Sequence, residues 1–161
     1  MILGSKPIGP EGGHLAGRAL LKELYEAHLG TAMPEIKITP RGKPYFEGSN
    51  VHFSISHTKD HVFCALFTRP VGLDAEEADR EINLRLAEKI LSAPEKERFD
   101  AAEDKREALL RLWVLKESYS KLTGRGIGNY LKTTDFDPYS PKIQCIDGCY
   151  VAVLEEGDTY A

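Results

Sequence analysis

Three extended segments follow one another in the middle of the chain, and only short turns separate them. Val51, Phe53 and Ile55 alternate with polar residues, which is typical of a half-buried strand. Residues 61–67 form a continuous apolar run that favours a central strand, and residues 71–76 extend the chain again. Because turns this short join antiparallel neighbours, the segments predict a largely antiparallel sheet.

Helical patterns surround these strands. Residues 104–123 carry an apolar face at helical spacing, and Gly124 follows as a stop signal. Ser92 and Glu95 form a capping-box pattern, which predicts the start of the preceding helix. Strands interspersed with helices indicate an α+β fold. The other predicted elements are helices over residues 12–29 and 83–91, strands over residues 36–38 and 131–136, a loop over residues 40–48, and a hairpin over residues 143–154 that turns at Asp147 and Gly148.

The length and composition fit one domain or one compact pair of small subdomains. The chain has 161 residues, of which 42% are hydrophobic, and this is enough to bury a core. A net charge of -4 at pH 7 argues against a surface for nucleic acid. No apolar stretch approaches the length of a membrane span, and the three cysteines show no paired framework. We therefore expect a cytoplasmic protein with free thiols that binds neither nucleic acid nor a membrane.

Two carboxylates lie two residues apart on the third extended segment. Side chains at positions i and i+2 of a strand point to the same side, so Asp74 and Glu76 are expected to face one space. Paired carboxylate oxygens suit a Mg²⁺ ion that is shared with a substrate phosphate. The alternative is an exposed acidic strand end, which Glu77 and Asp79 continue.

A second charged pair lies on the long predicted helix. Glu117 and Lys121 are four residues apart and share one face, and Trp113 lies one turn earlier on the same face. Because a Trp side chain is rarely left in water, this face is expected to be covered. A partly buried Glu–Lys pair is a candidate functional site, whereas an exposed one is an ordinary surface ion pair.

Single polar residues at turns and strand ends give weaker signals. His57 follows the alternating strand beside Ser56, so it is either a phosphate contact at the strand end or a histidine satisfied within the core or the hairpin. Lys43 lies in a Gly-Lys-Pro turn, where a lysine is usually solvated. Glu95 is sufficiently explained as the cap partner of Ser92.

Four motifs occur in order along the chain. They are Gly42-Lys43-Pro44, Ser56-His57, the Gly-x-Asp-x-Glu segment of residues 72–76, and the Trp-x-x-Lys-Glu-Ser-x-x-Lys segment of residues 113–121. In this combination the chain resembles the 4′-phosphopantetheinyl transferase superfamily, in particular the surfactin-synthetase-activating type. The resemblance implies an α+β fold with a largely antiparallel sheet packed with helices. It also implies one domain over residues 1–161, in two pseudo-symmetric halves of about residues 1–70 and 71–161, the first of them short.

The resemblance implies a role for each matching residue. Asp74, Glu76 and Glu117 look like the ligands of a Mg²⁺ ion. Glu117 also resembles the base that activates the acceptor serine, and Lys121 resembles the catalytic cation that neutralises the pyrophosphate. The implied contacts to coenzyme A are Lys43, Pro44, Ser56, His57, Asp74, Lys116 and Lys121.

The implied activity is that of a holo-[acyl-carrier-protein] synthase. Such an enzyme moves the 4′-phosphopantetheine arm of coenzyme A to a serine of an apo acyl or peptidyl carrier protein. It needs Mg²⁺, releases 3′,5′-ADP and serves fatty acid, polyketide or nonribosomal peptide biosynthesis. Two alternatives stay open: a catalytically inactive module that binds the carrier protein or coenzyme A, and a metal-dependent hydrolase of pyrophosphate bonds.

The first half is shorter than in relatives with two full halves. Those relatives have a cluster of basic residues that helps to bind the 3′-phosphate of coenzyme A, and this sequence has no match for that cluster. Lys6, His14, Arg18 and Arg41 are alternatives that the sequence does not separate. We expect a monomer, although the short first half leaves self-association open.

Overall fold

The computed structural model describes residues 1–126 and 128–158 as antiparallel sheets with helices packed on them. The strands are β1 (Ile2–Pro7), β2 (Ile36–Ile38), β3 (Pro44–Phe46), β4 (His52–His57), β5 (His61–Phe67), β6 (Val71–Glu77), β7 (Ile143–Ile146) and β8 (Cys149–Glu155). The α-helices are α1 (Gly13–Leu29), α2 (Ala87–Ile90), α3 (Ala93–Ala101) and α4 (Lys105–Thr123), and 3-10 turns cover Leu84–Leu86 and Asn129–Thr133. Within this part of the chain, no helix has the length and apolar character that crossing a bilayer requires.

The first three-stranded sheet carries helix α1. Its order is β1-β5-β4, all antiparallel, so the apolar strand β5 lies in the centre as predicted. Helix α1 buries Ala16, Leu20, Leu21 and Tyr25 in the core beneath it, and Gly30 ends the helix in a left-handed conformation. The predicted α+β class and the predicted first helix are confirmed.

The second three-stranded sheet carries helix α4. Its order is β6-β8-β7, again antiparallel, and the last two strands turn at Asp147 and Gly148, which both have a positive φ. Helix α4 buries Leu112, Leu115 and other apolar side chains against the sheet and ends at Gly124. The predicted long helix and hairpin are therefore confirmed.

Strands β4 and β6 lie side by side where the two sheets meet. Ser54 and Ser56 on β4 are buried, and their hydroxyls accept hydrogen bonds from backbone N–H groups of β6. Phe53 fills the opposite face of the strand. The prediction of a half-buried strand is thus wrong in one respect: its polar side faces the second sheet and not solvent.

Three predicted elements differ in the structure. The strand expected over residues 131–136 is a 3-10 turn through residue 133, because Lys116 Nζ binds both the carbonyl of Leu131 and the hydroxyl of Thr134 at 2.6 Å. The loop expected over residues 40–48 contains β3, which pairs with β2. The helix expected over residues 83–91 is α-helical only in α2, after a 3-10 turn.

Strand β1 was not predicted from the sequence. Its apolar residues are interrupted by Gly4, Ser5 and Lys6, so neither a helical nor a strand period is visible. A Cβ atom on Gly4 would lie 2.8 Å from a methyl group of Leu24 on α1. The glycine that weakens the strand pattern therefore allows the helix to pack closely on the sheet.

Candidate active site

A close approach of helix α4 to strand β6 brings the charged residues together. A Cβ atom on Gly72 would lie 2.0 Å from the carbonyl oxygen of Ser118 and 2.5 Å from the backbone nitrogen of Leu122. The Ser118 hydroxyl donates to the Gly72 carbonyl at 2.7 Å and fixes this contact. Only a glycine permits this spacing, which places Lys121 within reach of Asp74.

Asp74 lies in the buried centre of the site, with 6% of its surface exposed. Its Oδ1 accepts hydrogen bonds from Lys121 Nζ at 2.8 Å and from Ser56 Oγ at 2.9 Å. Its Oδ2 is buried and has no hydrogen-bond partner among the described residues. A buried carboxylate oxygen without a partner is costly, so this atom is a candidate ligand for a cation.

Glu117 lies one turn before Lys121 on the same helix and is half-buried. Burial raises the pKa of Glu117 to about 7, and the neighbouring negative charge of Asp74 adds to the rise while Lys121 opposes it. The lysine forms its ion pair with Asp74, on a different element, and so the pair is not an exposed i,i+4 bridge. A carboxyl group with a pKa near neutral can exchange a proton under physiological conditions.

Glu76 is on the same strand as Asp74 but is held by other groups. Its Oε1 accepts from Arg80 and, at 3.3 Å, from the indole N–H of Trp113. The expectation that Trp113 is covered is thus confirmed, since that residue is only partly exposed and contacts Glu76. In addition to burial, the negative charges of Asp74 and, to a smaller extent, Glu76 both raise the pKa of Glu117, so the three carboxylates share one region of the site.

The carboxylates of the site provide part of a donor set for a divalent metal ion. Within residues 1–126 and 128–158, no group of three or more His, Cys, Asp or Glu side chains is arranged to hold a metal. Glu76, the third expected ligand, forms an ion pair with Arg80. The free Oδ2 of Asp74 and the nearby Glu117 offer two hard oxygen donors, which suit Mg²⁺, while waters or a substrate phosphate would fill its other positions.

Two adjoining cavities open beside these charged residues. The first, of about 270 Å³, is lined by Arg41, Lys43 and Lys121 together with apolar groups, and it reaches Gly124 at the end of α4. The second, of about 260 Å³, has basic and apolar walls. They share the residues Gly42, Pro44, Phe53 and Ile55, so they form one groove. A groove with cationic ends and an apolar middle suits a nucleotide.

Lys43 and His57 both reach this groove. Lys43 donates to the carbonyl of Leu122, and burial lowers the pKa of Lys43, so this turn lysine is not simply solvated. His57 is exposed, and its ring packs against the backbone at the start of α1. A Cβ atom on Gly13 would lie 2.6 Å from this ring, so His57 lies on the helix start and not in the core. The structure therefore places His57 on the surface of the second cavity.

The basic residues that the sequence does not separate have different surroundings. Lys6 forms an ion pair with Glu23 at 2.7 Å. His14 and Arg18 line the second cavity beside His57, and Arg41 lines the first.

Lys116 does not reach either cavity. Its side chain is fully buried and pairs with Glu95 Oε2 at 2.7 Å, and it also binds the carbonyl of Leu131. The structure contradicts the expected contact between Lys116 and a phosphate, because helical geometry points residue 116 to the far side of α4 from Lys121. Glu95 is the cap partner of Ser92 as predicted, and it is in addition the counter-ion of this buried lysine.

Ser54 and Arg80 were not singled out in the sequence. Ser54 lines the first cavity and binds β6. It lies two residues before Ser56 on the same face of a strand, and this spacing could have identified it. Arg80 lies four residues after Glu76, but a turn and not a helix joins them. The rule that pairs charged residues four apart on a helix therefore does not identify this ion pair.

Comparison with known proteins places the chain among enzymes of one family. Residues 70–149 match the family model of the 4′-phosphopantetheinyl transferase superfamily. The chain is 34% identical over 118 residues to 4′-phosphopantetheinyl transferase psf-1 of Bacillus pumilus, covering 70% of this chain and 50% of that protein. It is 33% identical over 122 residues to HetI of Nostoc sp., again a 4′-phosphopantetheinyl transferase, covering 70% of this chain and 52% of that protein.

A third relative is 4′-phosphopantetheinyl transferase Sfp of Bacillus subtilis, which is 30% identical over 119 residues and matches 70% of this chain and 52% of its own length. The chain thus spans about half the length of these curated relatives. The matched region contains Asp74, Glu76, Glu117 and Lys121, and of these Lys121 lines the first cavity. The chain belongs to the 4′-phosphopantetheinyl transferase superfamily.

Proposed function

We propose that this chain transfers the 4′-phosphopantetheine group of coenzyme A to a serine of an apo acyl or peptidyl carrier protein and releases 3′,5′-ADP. One observation carries the proposal: Asp74, Glu117 and Lys121 converge from a strand and a helix beside a groove that Lys43 and Pro44 line. Relatives with 4′-phosphopantetheinyl transferase names, psf-1 and Sfp among them, support the surfactin-synthetase-activating type within the family.

The proposed reaction is a displacement at phosphorus. The serine oxygen of the carrier forms a bond to the phosphorus that bears the pantetheine arm, and the bond from that phosphorus to the bridging oxygen of the pyrophosphate breaks. The electron pair leaves with 3′,5′-ADP, and the serine proton passes to the carboxylate of Glu117, directly or through a water molecule.

Lys121 supplies fixed positive charge in this scheme. Its ammonium group is held by Asp74 Oδ1 at 2.8 Å and by the Ile55 carbonyl at 3.3 Å, so it is oriented before the substrate arrives. A cation held in this way beside the groove stabilises the negative charge that develops on the departing phosphate. The side chain is one-third exposed, which leaves a hydrogen free for a phosphate oxygen.

The proposed metal ion is Mg²⁺, held by Asp74 and Glu117, with Glu76 as a third ligand once it leaves Arg80. When bound, Mg²⁺ supplies charge to the pyrophosphate oxygens. The chain itself supplies the orientation of both carboxylates and the lysine. Lys43, Pro44 and His57 are the proposed contacts to coenzyme A, since all three line the groove.

We also propose that residues 1–70 and 71–161 are two related halves. Each contains a strand, then a long helix, then a hairpin, and in each sheet the first strand pairs with the last strand of the hairpin. The three unpaired cysteines support the proposal of a cytoplasmic protein, and we propose that it is a monomer.

The experiment is transfer to a panel of apo acyl and peptidyl carrier proteins with coenzyme A and Mg²⁺, followed by intact mass. We expect the carrier to gain the mass of one phosphopantetheine group, and chelation to stop the reaction. Glu117→Gln is expected to lower the rate about 10²-fold or more, as for a lost general base. Glu107→Gln is the matched control, because that carboxylate lies on the same helix but binds Tyr150 away from the groove.

A protein that binds coenzyme A but modifies no carrier is the outcome expected of a binding module, and release of 3′,5′-ADP without a carrier is the outcome expected of a hydrolase. Either result would contradict the proposed transfer.

A further inference from the structure

Two serines of β4 bind the backbone on both sides of Asp74. Ser54 Oγ accepts from the backbone nitrogen of Leu73 at 2.9 Å, and Ser56 Oγ accepts from that of Ala75 at 3.3 Å. Strands β4 and β6 belong to different sheets, so these hydroxyls act where backbone carbonyls would act within one sheet. Both serines are more than 90% buried, and burial strengthens their hydrogen bonds because the surroundings have a low dielectric constant.

The same contacts fix one oxygen of Asp74 and leave the other available. Ser56 Oγ donates to Oδ1, and Lys121 Nζ donates to the same atom. Oδ2 is buried and has no hydrogen-bond partner in the described part of the chain. Because Oδ1 is held from two directions, the carboxylate cannot rotate to satisfy Oδ2 without losing both hydrogen bonds.

The hydroxyl of Ser56 has no proton left for a substrate. A serine hydroxyl donates one hydrogen bond, and this one goes to Asp74, while a lone pair already accepts from Ala75. Its remaining lone pair would repel a phosphate oxygen. Ser56 is therefore badly suited to the direct contact with coenzyme A that the family resemblance implies.

We infer that Ser54 and Ser56 form a serine clamp that positions Asp74, so that its Oδ2 is presented to a divalent cation. This inference rests on the proposed function for its biological purpose. The two serines are positioning residues: they act on the metal ligand through β6 and touch neither the cation nor the reacting atoms. The clamp also joins the two sheets at the place where the groove opens.

The test measures binding of Mn²⁺ alone to the full chain by electron paramagnetic resonance. Residues that orient metal ligands typically contribute 10-fold to 100-fold to metal affinity, so we expect Ser56→Ala to weaken Mn²⁺ binding at least about tenfold. Ser54→Ala is expected to weaken it in the same direction. Ser56→Thr keeps the hydroxyl and should retain most of the affinity. Coenzyme A affinity, measured in excess chelator, should stay at the wild-type value in both Ser56 variants.

Ser92→Ala is the matched control. Ser92 is also a buried serine, and its hydroxyl accepts from the backbone of Glu95 at the start of α3, away from the groove. This variant should melt at a lower temperature than wild type and bind Mn²⁺ equally well. An equal loss of Mn²⁺ affinity in Ser92→Ala would overturn the clamp, since general destabilisation would then explain the effect.

Two other results would overturn it: wild-type Mn²⁺ affinity in both alanine variants, or wild-type Mn²⁺ affinity together with weaker coenzyme A binding in Ser56→Ala. The second result would restore the direct contact. Absence of Mn²⁺ binding to the wild-type chain would likewise overturn the clamp. Transfer to the carrier is not needed for these measurements, so a wild-type protein that binds Mn²⁺ but transfers nothing would refute the proposed function and leave the clamp standing.

Discussion

At Glu117, burial and a neighbouring negative charge act on one carboxyl group in the same direction. Its motif position identified this residue in the sequence, and Trp113 on the same face predicted that it is covered, but the size of the effect of Asp74 on its pKa could not be predicted. The rise of its pKa to about 7 follows from the closeness of α4 to β6, which depends on Gly72. Likewise the sequence pointed to Lys121 but paired it with Glu117, whereas the structure pairs it with Asp74 across two elements.

The raised pKa of Glu117 predicts a pH-dependent gain in stability when the charge is removed. The pKa of Glu117 is 4.5 in the unfolded chain and about 7 in the folded chain. The protonated carboxyl group therefore makes its full contribution to the stability of the fold below pH 4.5, and this contribution is lost as the pH rises through about 7. In excess chelator, Glu117→Gln should therefore melt above wild type at pH 8 and close to it at pH 5. Calorimetry at both pH values is the measurement, and equal melting at pH 8 would show that the carboxylate carries no penalty there.

The cysteines predict a simple pattern of chemical reactivity. Cys145 is exposed, whereas Cys64 and Cys149 are buried, and burial raises the pKa of Cys64 to about 12. We expect iodoacetamide at neutral pH to alkylate Cys145 in the folded protein and to spare the other two. Peptide mapping by mass spectrometry checks this, with the unfolded chain as a control in which all three react. Rapid labelling of Cys64 in the folded protein would contradict its buried position.

At the scale of elements, long periodic segments could be predicted and short ones could not. Helix α4 and strand β5 are set by many apolar residues that repeat one period, so their existence follows from the sequence. The segment around residue 131 instead takes its conformation from Lys116, fifteen residues away, which binds its carbonyl. A contact of that kind overrides local propensity and leaves no mark in a short window of sequence.

Gly72 predicts a measurable cost at the contact between α4 and β6. Gly72→Ala places a methyl group 2.0 Å from the backbone carbonyl of Ser118, which cannot move without shifting the helix. We expect a loss of about 1–3 kcal/mol in the free energy of unfolding, or more if the helix cannot adjust, with weaker metal binding because Glu117 moves away from Asp74. Denaturant unfolding and Mn²⁺ binding are the measurements.

Gly4→Ala is the control for that substitution. Its added methyl group would meet only side-chain atoms of Leu24, which can change rotamer, so it should cost less than Gly72→Ala and leave Mn²⁺ binding unchanged. Equal losses of stability and of Mn²⁺ binding in both variants would show that the contact between α4 and Gly72 does not specifically support the metal site.

At the scale of the whole molecule, the groove takes its walls from strand β4, the segment around Lys43, the start of α1 and the end of α4. Lys43, Phe53 and Ile55 come from residues 1–70, the first unit, and Lys121 and Gly124 come from residues 71–161, the second unit. The sequence motifs contain Lys43 and Lys121, whereas Phe53 and Ile55 were predicted only as apolar residues of a strand. How the units meet was beyond the sequence, since it depends on the buried serines of β4 and on one glycine.

A ligand that fills this groove should hold the two units together and stabilise the whole chain. At a coenzyme A concentration one hundred times its Kd, linkage predicts a gain of about 2.7 kcal/mol, which for a chain of this size raises Tm by about 5–10 °C. Lys43→Ala should reduce the shift at a fixed ligand concentration, because it removes a partly buried cation from the groove wall. Lys37→Ala is the matched control, since that lysine lies on the neighbouring strand β2 and pairs with Glu35 and Glu47 outside the groove. A thermal shift that is equal in wild type and in both variants would place coenzyme A elsewhere on the protein.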